Sequence, residues 1–455
     1  MARFTGSDKY LRIAEDVIKA SVAEVVEGAI FHVESDFARF MESKVHQYNK
    51  LNTLTLAVRV RFGKKAGMVT TTDLTKDGII KAVKKAEEIA LNAKEDPDLP
   101  EAESSKNLYF ESVDQAVKDL SAEEKARFLK RLFSELENFN FYGSFRSSFN
   151  SVLIFNNIGM RAHQAYTALH LTILLEDRED RDTFWLQFSS SDLDALRFDD
   201  VKGKIARFMA MEFPDAGLKP GRYPVILAPY AVAEILDFMQ YVGFSARALY
   251  DGISFLEGMG NKKVFGDNFT LVDNPLRKKG FKMPFDFEGV EKDTLKIFDR
   301  GVFKHFIYSK KMAKIFNTKS TGHAMDFASE YPYAAHLEMS PGDKGLEEMI
   351  AESQDVILIN RFHYVNVLDP KSFTLTGMTR DGSFRIRNGK RWSRLPNLRF
   401  QVNFIELLNN ITGISKDLEE VGFPESYGMD IPGTYILPYI RCENFNFIGV
   451  STEES

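Results

Sequence analysis

The sequence predicts an α+β protein of two domains, and three observations carry that expectation. Its 455 residues exceed what one hydrophobic core usually serves. Helical apolar spacing and strict two-residue alternation both occur, in separate stretches. A breaker-rich segment, Phe213-Pro214-Asp215-Ala216-Gly217-Leu218-Lys219-Pro220-Gly221, interrupts both patterns near the middle. It separates an N-terminal α+β domain, residues 1–214, from a C-terminal β-rich domain, residues 221–455.

Residues Asp8 to Ala20 space Tyr10, Leu11, Ile13, Ala14, Val17 and Ile18 along one helical face. Extended stretches are expected at Gly28–Val33 and Phe37–Val45. Leu51–Phe62 then alternates, with Leu54, Leu56, Val58, Val60 and Phe62 on one side, and turns through Gly63–Gly67 into Met68–Thr72. Thr72 or Asp73 caps a helix to about Ala93. Ser121-x-x-Glu124 is a capping box for a helix to about Glu137. Strands fill Phe141–Leu175 and Thr183–Ser190, joined by a charged, solvated tip at Glu176–Asp182, and a helix covers Leu193–Met211.

Beyond the boundary, Tyr223–Ala228 reads as a buried strand and Tyr230–Val242 as a helix. Asp299-Arg300-Gly301 and Asn388-Gly389 mark hairpins, and short helices are expected at Leu346–Ser353 and Val402–Asn410. The 39 phenylalanines, many in alternating strings, point to large buried β-surfaces.

Composition narrows the function. A net charge of -6 disfavours a general nucleic-acid binder, which needs a basic face to displace counterions. One cysteine, Cys442, rules out an intramolecular disulfide framework or a cysteine zinc cluster and fits a reducing, cytoplasmic setting. The first sixteen residues lack the apolar run of a signal peptide, and no run approaches the roughly 18 apolar residues of a membrane span.

The catalytic motifs are missing. None of the eight histidines forms the one-turn pair that aims two imidazoles at one ion. His163 and His170 are seven apart in a strand-like segment and so face opposite sides. Cys442 in Arg441-Cys442-Glu443 reads as a structural thiol. Gly258-Met259-Gly260-Asn261-Lys262-Lys263 lacks the third glycine of a dinucleotide loop and the G-K-[ST] of a P-loop, so it is a plain loop. The basic set Arg385, Arg387, Lys390, Arg391, Arg394 and Arg399, around Trp392, is the outward face of a hairpin. Asp286 and Glu288 would share a strand face and bind a cation, or do neither in an exposed loop, and the sequence leaves both open.

An ordered set of motifs resembles the TldD/PmbA family over almost the whole chain. Leu56-Ala57-Val58-Arg59-Val60 through Gly67–Leu74 is similar to its N-terminal hairpin and helix start. Pro284-Phe285-Asp286-Phe287-Glu288-Gly289-Val290, Arg300-Gly301-Val302, Ser320-Thr321-Gly322-His323-Ala324, Leu337–Gly342 and Arg387-Asn388-Gly389-Lys390 follow in family order. The resemblance implies a TldD/PmbA-like two-domain architecture. TldD members are zinc peptidases with an H-E-x-x-x-H helix and a cysteine ligand near the C-terminus. The matching stretch here, Ala231 to Val242, has no histidine, and Val421 to Tyr427, ahead of the family-like Met429–Gly433, has no cysteine. That loss is the pattern of the PmbA/TldE branch.

The resemblance therefore implies a non-catalytic subunit that pairs with a TldD-type partner and encloses a chamber where extended or unfolded peptides are cut. Zinc is expected in the partner and none in this chain, with no catalytic residue, nucleic acid or membrane involved. A degenerate active-site helix near 230–242 carries Glu234, Asp237 and Gln240. Glu234 and Asp237 share a helix face and would hold a hard cation, although solvated helix charges are the plainer reading. Two rivals remain: a homodimeric peptide-binding protein, and a self-sufficient metallohydrolase with a relocated site using His163, His323 or His336.

Overall fold

The first predicted helix forms where its apolar spacing placed it: α1 (Asp8–Ala20) turns Tyr10, Ile13, Ala14 and Val17 inward. The structure is a computed structural model and describes residues 8–102, 107–179, 181–209, 217–277, 280–389, 391–423 and 429–450. The stretches expected at Gly28–Val33 and Phe37–Val45 are instead one strand and the start of the next, β1 (Val25–Met41) and β2 (Lys44–Phe62). They pair antiparallel from Val25↔Arg61 to Met41↔Lys44. The turn escaped the sequence reading because it holds neither glycine nor asparagine. Glu42 and Ser43 take positive φ, 49° and 60°, as a two-residue hairpin demands. Contacts distant in sequence hold them: Ser43 donates its N–H to the Phe141 carbonyl at 3.1 Å, and its hydroxyl accepts from the Phe141 N–H at 3.2 Å.

β3 (Lys65–Thr71) returns along β2 and leads into α2 (Lys76–Asn92). Thr75, rather than Thr72 or Asp73, is the cap: its hydroxyl accepts from the Gly78 N–H at 3.1 Å, while Asp73 accepts from the Thr75 hydroxyl at 2.6 Å. α2 lies so close on β3 that a Cβ at Gly67 would stand 2.2 Å from the Ala86 carbonyl oxygen. Gly67→Ala is therefore expected to lower stability by about 2 kcal/mol. A urea unfolding curve reads this, and an unmoved midpoint would mean that the helix yields freely.

The N-terminal half continues through β4 (Leu108–Ser112), α3 (Gln115–Lys118) and α4 (Ala122–Glu135). The predicted capping box opens α4, with the Glu124 N–H on the Ser121 hydroxyl at 3.2 Å and the Ser121 N–H on the Glu124 carboxylate at 2.8 Å. β5 (Phe139–Asn156), β6 (Arg161–Asp177) and β7 (Thr183–Ser190) follow. In the charged tip, Glu176 is buried rather than solvated and accepts from the Tyr142 hydroxyl at 2.8 Å. A short 3-10 turn, Leu193–Ala195, precedes α5 (Phe198–Met209), so the expected Leu193–Met211 helix is interrupted at Leu196. The strand order is β3-β2-β1-β5-β6-β4, with β7 pairing the far end of β6. The first four residues of the predicted boundary, 213–216, lie outside the described residues, which resume at Gly217.

The second sheet begins with β8 (Gly221–Leu227), followed by α6 (Pro229–Met239), a π-helical turn at Gln240–Phe244 and α7 (Ala246–Tyr250). Gly258–Lys263 is a loop as read. Next come β9 (Leu271–Asp273), β10 (Leu295–Asp299), β11 (Val302–Phe303), α8 (Lys310–Ile315), β12 (Leu337–Met339) and α9 (Leu346–Ala351). The long strands β13 (Asp355–Asp369) and β14 (Thr374–Arg387) precede β15 (Arg391–Arg394), β16 (Leu398–Asn403), α10 (Phe404–Asn409), β17 (Ile411–Gly422) and β18 (Thr434–Val450). The predicted Asn388-Gly389 hairpin joins β14 to β15, with both residues at positive φ.

Strand order in this eleven-stranded sheet is β11-β10-β9-β12-β18-β16-β14-β13-β8, with β15 pairing β14 and β17 pairing β18 off that path. β8 also pairs antiparallel with β18, from Ile440↔Leu227 to Phe447↔Gly221. The strands β18, β16, β14, β13 and β8 thus close into a circuit, and phenylalanines fill it. Phe362, Phe400 and Phe445 pack together with centroids 4.8–6.0 Å apart, and all three are buried. A second core runs across both sheets, joining Phe141 and Leu171 to Val356 and Ile386. No helix among the described residues is long and apolar enough to cross a membrane.

Candidate functional site

α6 starts where β8 leaves the sheet. The Ala228 N–H bonds the Ile359 carbonyl at 2.9 Å, and Pro229 occupies the first turn, where its missing donor costs nothing. Eight of its residues are buried, so the polar ones are confined to one narrow strip. Glu234, Asp237 and Gln240 form that strip, and the structure brings all three into one polar seam.

They are not solvated helix charges. Asp237 accepts from the Tyr435 hydroxyl at 2.6 Å and the Tyr333 hydroxyl at 2.8 Å, and the two phenols lie 2.9 Å apart. Gln240 donates to the Tyr435 oxygen at 2.6 Å and accepts from the Ala334 N–H at 2.6 Å. Glu234 accepts from the Phe362 N–H and lies in the field of Arg361, whose guanidinium is paired with Asp381 at 2.8 Å. Burial pushes Glu234 up to about 7, opposed by the Arg361 guanidinium, and Asp237 up to about 6, opposed by its two phenols. Burial also raises both tyrosines well above the usual phenol range. Phe423 packs edge-on against Tyr435 at 4.7 Å, and Trp185 of β7 against Tyr230 of α6 at 4.7 Å.

This donor set does not suit zinc. α6 offers neither imidazole nor thiolate, one Asp237 oxygen is committed to two hydroxyls, and Glu234 lies in the field of a guanidinium. No group of three His, Cys, Asp or Glu among the described residues is arranged to hold a metal. A hard cation between Glu234 and Asp237 finds the same obstacles.

Two further buried clusters went unseen in the sequence. Asp430, wholly buried in the family-like Met429–Gly433 segment, plugs into the N-terminal sheet. Arg146 lies 3.3 Å and His170 3.5 Å from its carboxylate, and Ser148 donates to it. Its backbone carbonyl accepts from the Tyr166 hydroxyl at 2.5 Å, and its N–H reaches the Asn150 oxygen at 3.2 Å. His170 also meets the Ser189 hydroxyl at 2.8 Å. Serine, histidine and aspartate thus line up as in a hydrolase triad, but they are only 7, 2 and 0% exposed, and Arg146 already neutralises the aspartate.

The other cluster concerns the relocated-metal candidates. The His323 ring lies 3.2 Å from the buried Asp273 carboxylate, and the His336 backbone N–H donates to that carboxylate at 3.0 Å. The Lys292 ammonium stands 3.5 Å from the same carboxylate and supplies its counter-charge. Burial holds both imidazoles neutral, and Lys292 adds to the effect. His163 is elsewhere, stacked on Tyr109 and 2.8 Å from the Ser151 hydroxyl. It and His170 face opposite sides of β6, as their spacing required.

The remaining candidates are structural. Asp286 accepts the N–H groups of Glu288, Val290 and Ala324 at 2.9–3.0 Å, and Glu288 accepts the Lys310 N–H at 2.8 Å. Both are buried in a turn, neither on a strand nor exposed. Cys442 is buried in β18, and burial raises its thiol beyond the reach of neutral pH. Arg385 is paired with Asp355 at 2.6 Å while Phe384 and Ile386 face the core.

Two family profiles match the chain: the PmbA/TldA metallopeptidase C-terminal domain over residues 220–449 and PmbA/TldA metallopeptidase domain 1 over residues 15–90. A metalloprotease of Methanothermobacter thermautotrophicus is 22% identical over 229 residues, covering 49% of this chain and 50% of that protein. The chain therefore spans about half the length of that relative. Metalloprotease PmbA of Escherichia coli O157:H7 is 22% identical over 386 residues, 80% of this chain and 81% of that one. The fold matches TldE from Thermococcus kodakarensis with a TM-score of 0.82 at 19% identity, over 98% of this chain and 100% of that chain. The chain belongs to the TldD/PmbA family of metallopeptidase-related proteins.

Proposed function

We propose that this chain is the zinc-free, PmbA/TldE-type subunit of a two-chain TldD-type metallopeptidase that cuts extended or unfolded peptides. One observation carries the reading: the helix in the metal-helix position holds a tyrosine–aspartate–glutamine hydrogen-bond network in place of ligands. Hydrolysis is then the work of the partner, whose zinc supplies the activated water. This chain's residues contribute a rigid wall, because Asp237 and Gln240 pin α6 to β18 through Tyr435. Its lone buried thiol suits a reducing, cytoplasmic setting.

The test compares cleavage of an unstructured peptide by this chain alone, by a TldD-type partner alone and by the mixture. Hydrolysis is expected only where the partner is present, and Asp237→Asn is expected to leave the partner's metal content unchanged. Chelator-sensitive turnover by the purified single chain, or stoichiometric zinc within it, would overturn the reading. A homodimer that ignores every TldD-type chain would also overturn it.

A further inference from the structure

Between Leu56 and Phe62, β2 has β1 on one side and β3 on the other. From residue 44 to 55 it pairs with β1 alone among the described residues, which leaves one edge of backbone N–H and C=O groups without a strand. Lys44, Val45, His46, Asn49, Lys50 and Asn52 are exposed along it. Such an edge is a template for another chain unless charges, bulges or covering elements guard it. Here the guards are a bulge beside the tip and two lysines, Lys44 at the tip and Lys50 midway. Lys44 follows the turn, and the register steps from Arg39↔Gln47 to Phe40↔Val45, so that His46 bulges out. Residues 47–55 run on with no further break in register.

Two hollows flank this edge. One, of about 350 Å³, opens beside α3 and is bordered by Asp36, Lys50, Asn52, Lys118 and Phe149. The Lys118 ammonium stands 4.2 Å over the Phe149 ring, and Lys50 lies 3.6 Å from Asp36. The other, of about 560 Å³, lies at the hairpin tip, where Lys44, Lys130 and Arg178 face one carboxylate, Glu137. An added strand would find backbone partners along 47–55, with room for side chains beside residues 50–52 and, past the bulge, at 43–45. The cationic excess at the tip selects for acidic side chains there.

We infer that residues 47–55 of β2 take up an extended acidic peptide as an additional strand, with its side chains entering the two flanking hollows. This rests on the reading that the protein handles extended peptides, and it assigns that task a surface on this chain.

Hydrogen–deuterium exchange on the whole chain tests it, using a ten-residue peptide of alternating valine and threonine with two glutamates. Exchange across 44–55 is expected to slow about tenfold, with 65–71 and 108–112 unchanged. The same peptide methylated on alternate backbone nitrogens, and a counterpart with lysines for glutamates, are expected to give no protection. Lys130→Glu is expected to weaken binding about tenfold in fluorescence anisotropy. Unchanged exchange at 44–55, protection at another edge, or equal protection by the lysine peptide would overturn the proposal. Protection that grows with protein concentration without peptide would assign the edge to a second copy and overturn it too. The readout needs no partner, so partner-dependent hydrolysis without protection here sinks this inference alone. Protection here without such hydrolysis sinks only the subunit reading.

Discussion

Asp430→Ala is expected to lower the unfolding free energy by about 3–5 kcal/mol, because it removes one member of a buried ion cluster and leaves the others in place. Arg146 is 2% exposed and His170 also 2%, so neither recovers hydration when the carboxylate goes. Ser148 loses its acceptor as well. The bonds from Tyr166 and to Asn150 use the Asp430 backbone and survive, so the Met429–Gly433 segment keeps part of its seat. Asp430→Asn retains the shape and one acceptor but not the charge, and its loss is expected to be smaller. Urea unfolding of both variants at neutral pH reads the difference. A loss below about 1 kcal/mol for Asp430→Ala would show that Arg146 has another counter-charge or that the segment does not dock.

The second large effect is a pH dependence centred on α6. In the folded chain Glu234 titrates near 7 and Asp237 near 6, against ordinary values of 4.5 and 3.8. Between those limits the folded state keeps protons that the unfolded chain has released. Stability therefore falls as pH rises from about 4 to 7 and is level above, the reverse of a salt-bridged carboxylate. The combined loss is on the order of 6 kcal/mol. Glu234→Gln removes the larger part of that slope. Its amide oxygen still accepts from the Phe362 N–H, so the variant is expected to be about 3 kcal/mol more stable than the parent at pH 8 and no more stable at pH 4. Thermal unfolding across this range is the measurement. A parent protein whose stability rises between pH 4 and 7, with Glu234→Gln following it, would mean that the carboxylates are paired and not stranded.

What was legible in the sequence was local. The apolar stripe of α1, the reciprocal cap at Ser121 and Glu124, the alternation of Thr183–Ser190 and the Asn388-Gly389 turn each depend on residues within a turn or two of one another. What failed depended on distant partners. The Glu42–Ser43 turn is held by Phe141, and Asp237 lost its solvent to tyrosines about a hundred and two hundred positions away, at 333 and 435. Asp430 looked like one residue of a weak motif because its partners, at 146, 148 and 170, belong to another sheet. Only the motif order, set against the absence of histidine in Ala231–Val242, pointed to α6 at all.

The pairing of β8 with β18 sets an order of events during synthesis. β8 leaves the ribosome first among the strands of its body and then waits with one flank uncovered while the whole of that body is translated. Val225 and Leu227, fully enclosed in the finished molecule, remain reachable for that interval. The nascent chain is thus sticky at its middle until its last strand arrives, and a holding chaperone has most to gain by gripping it there.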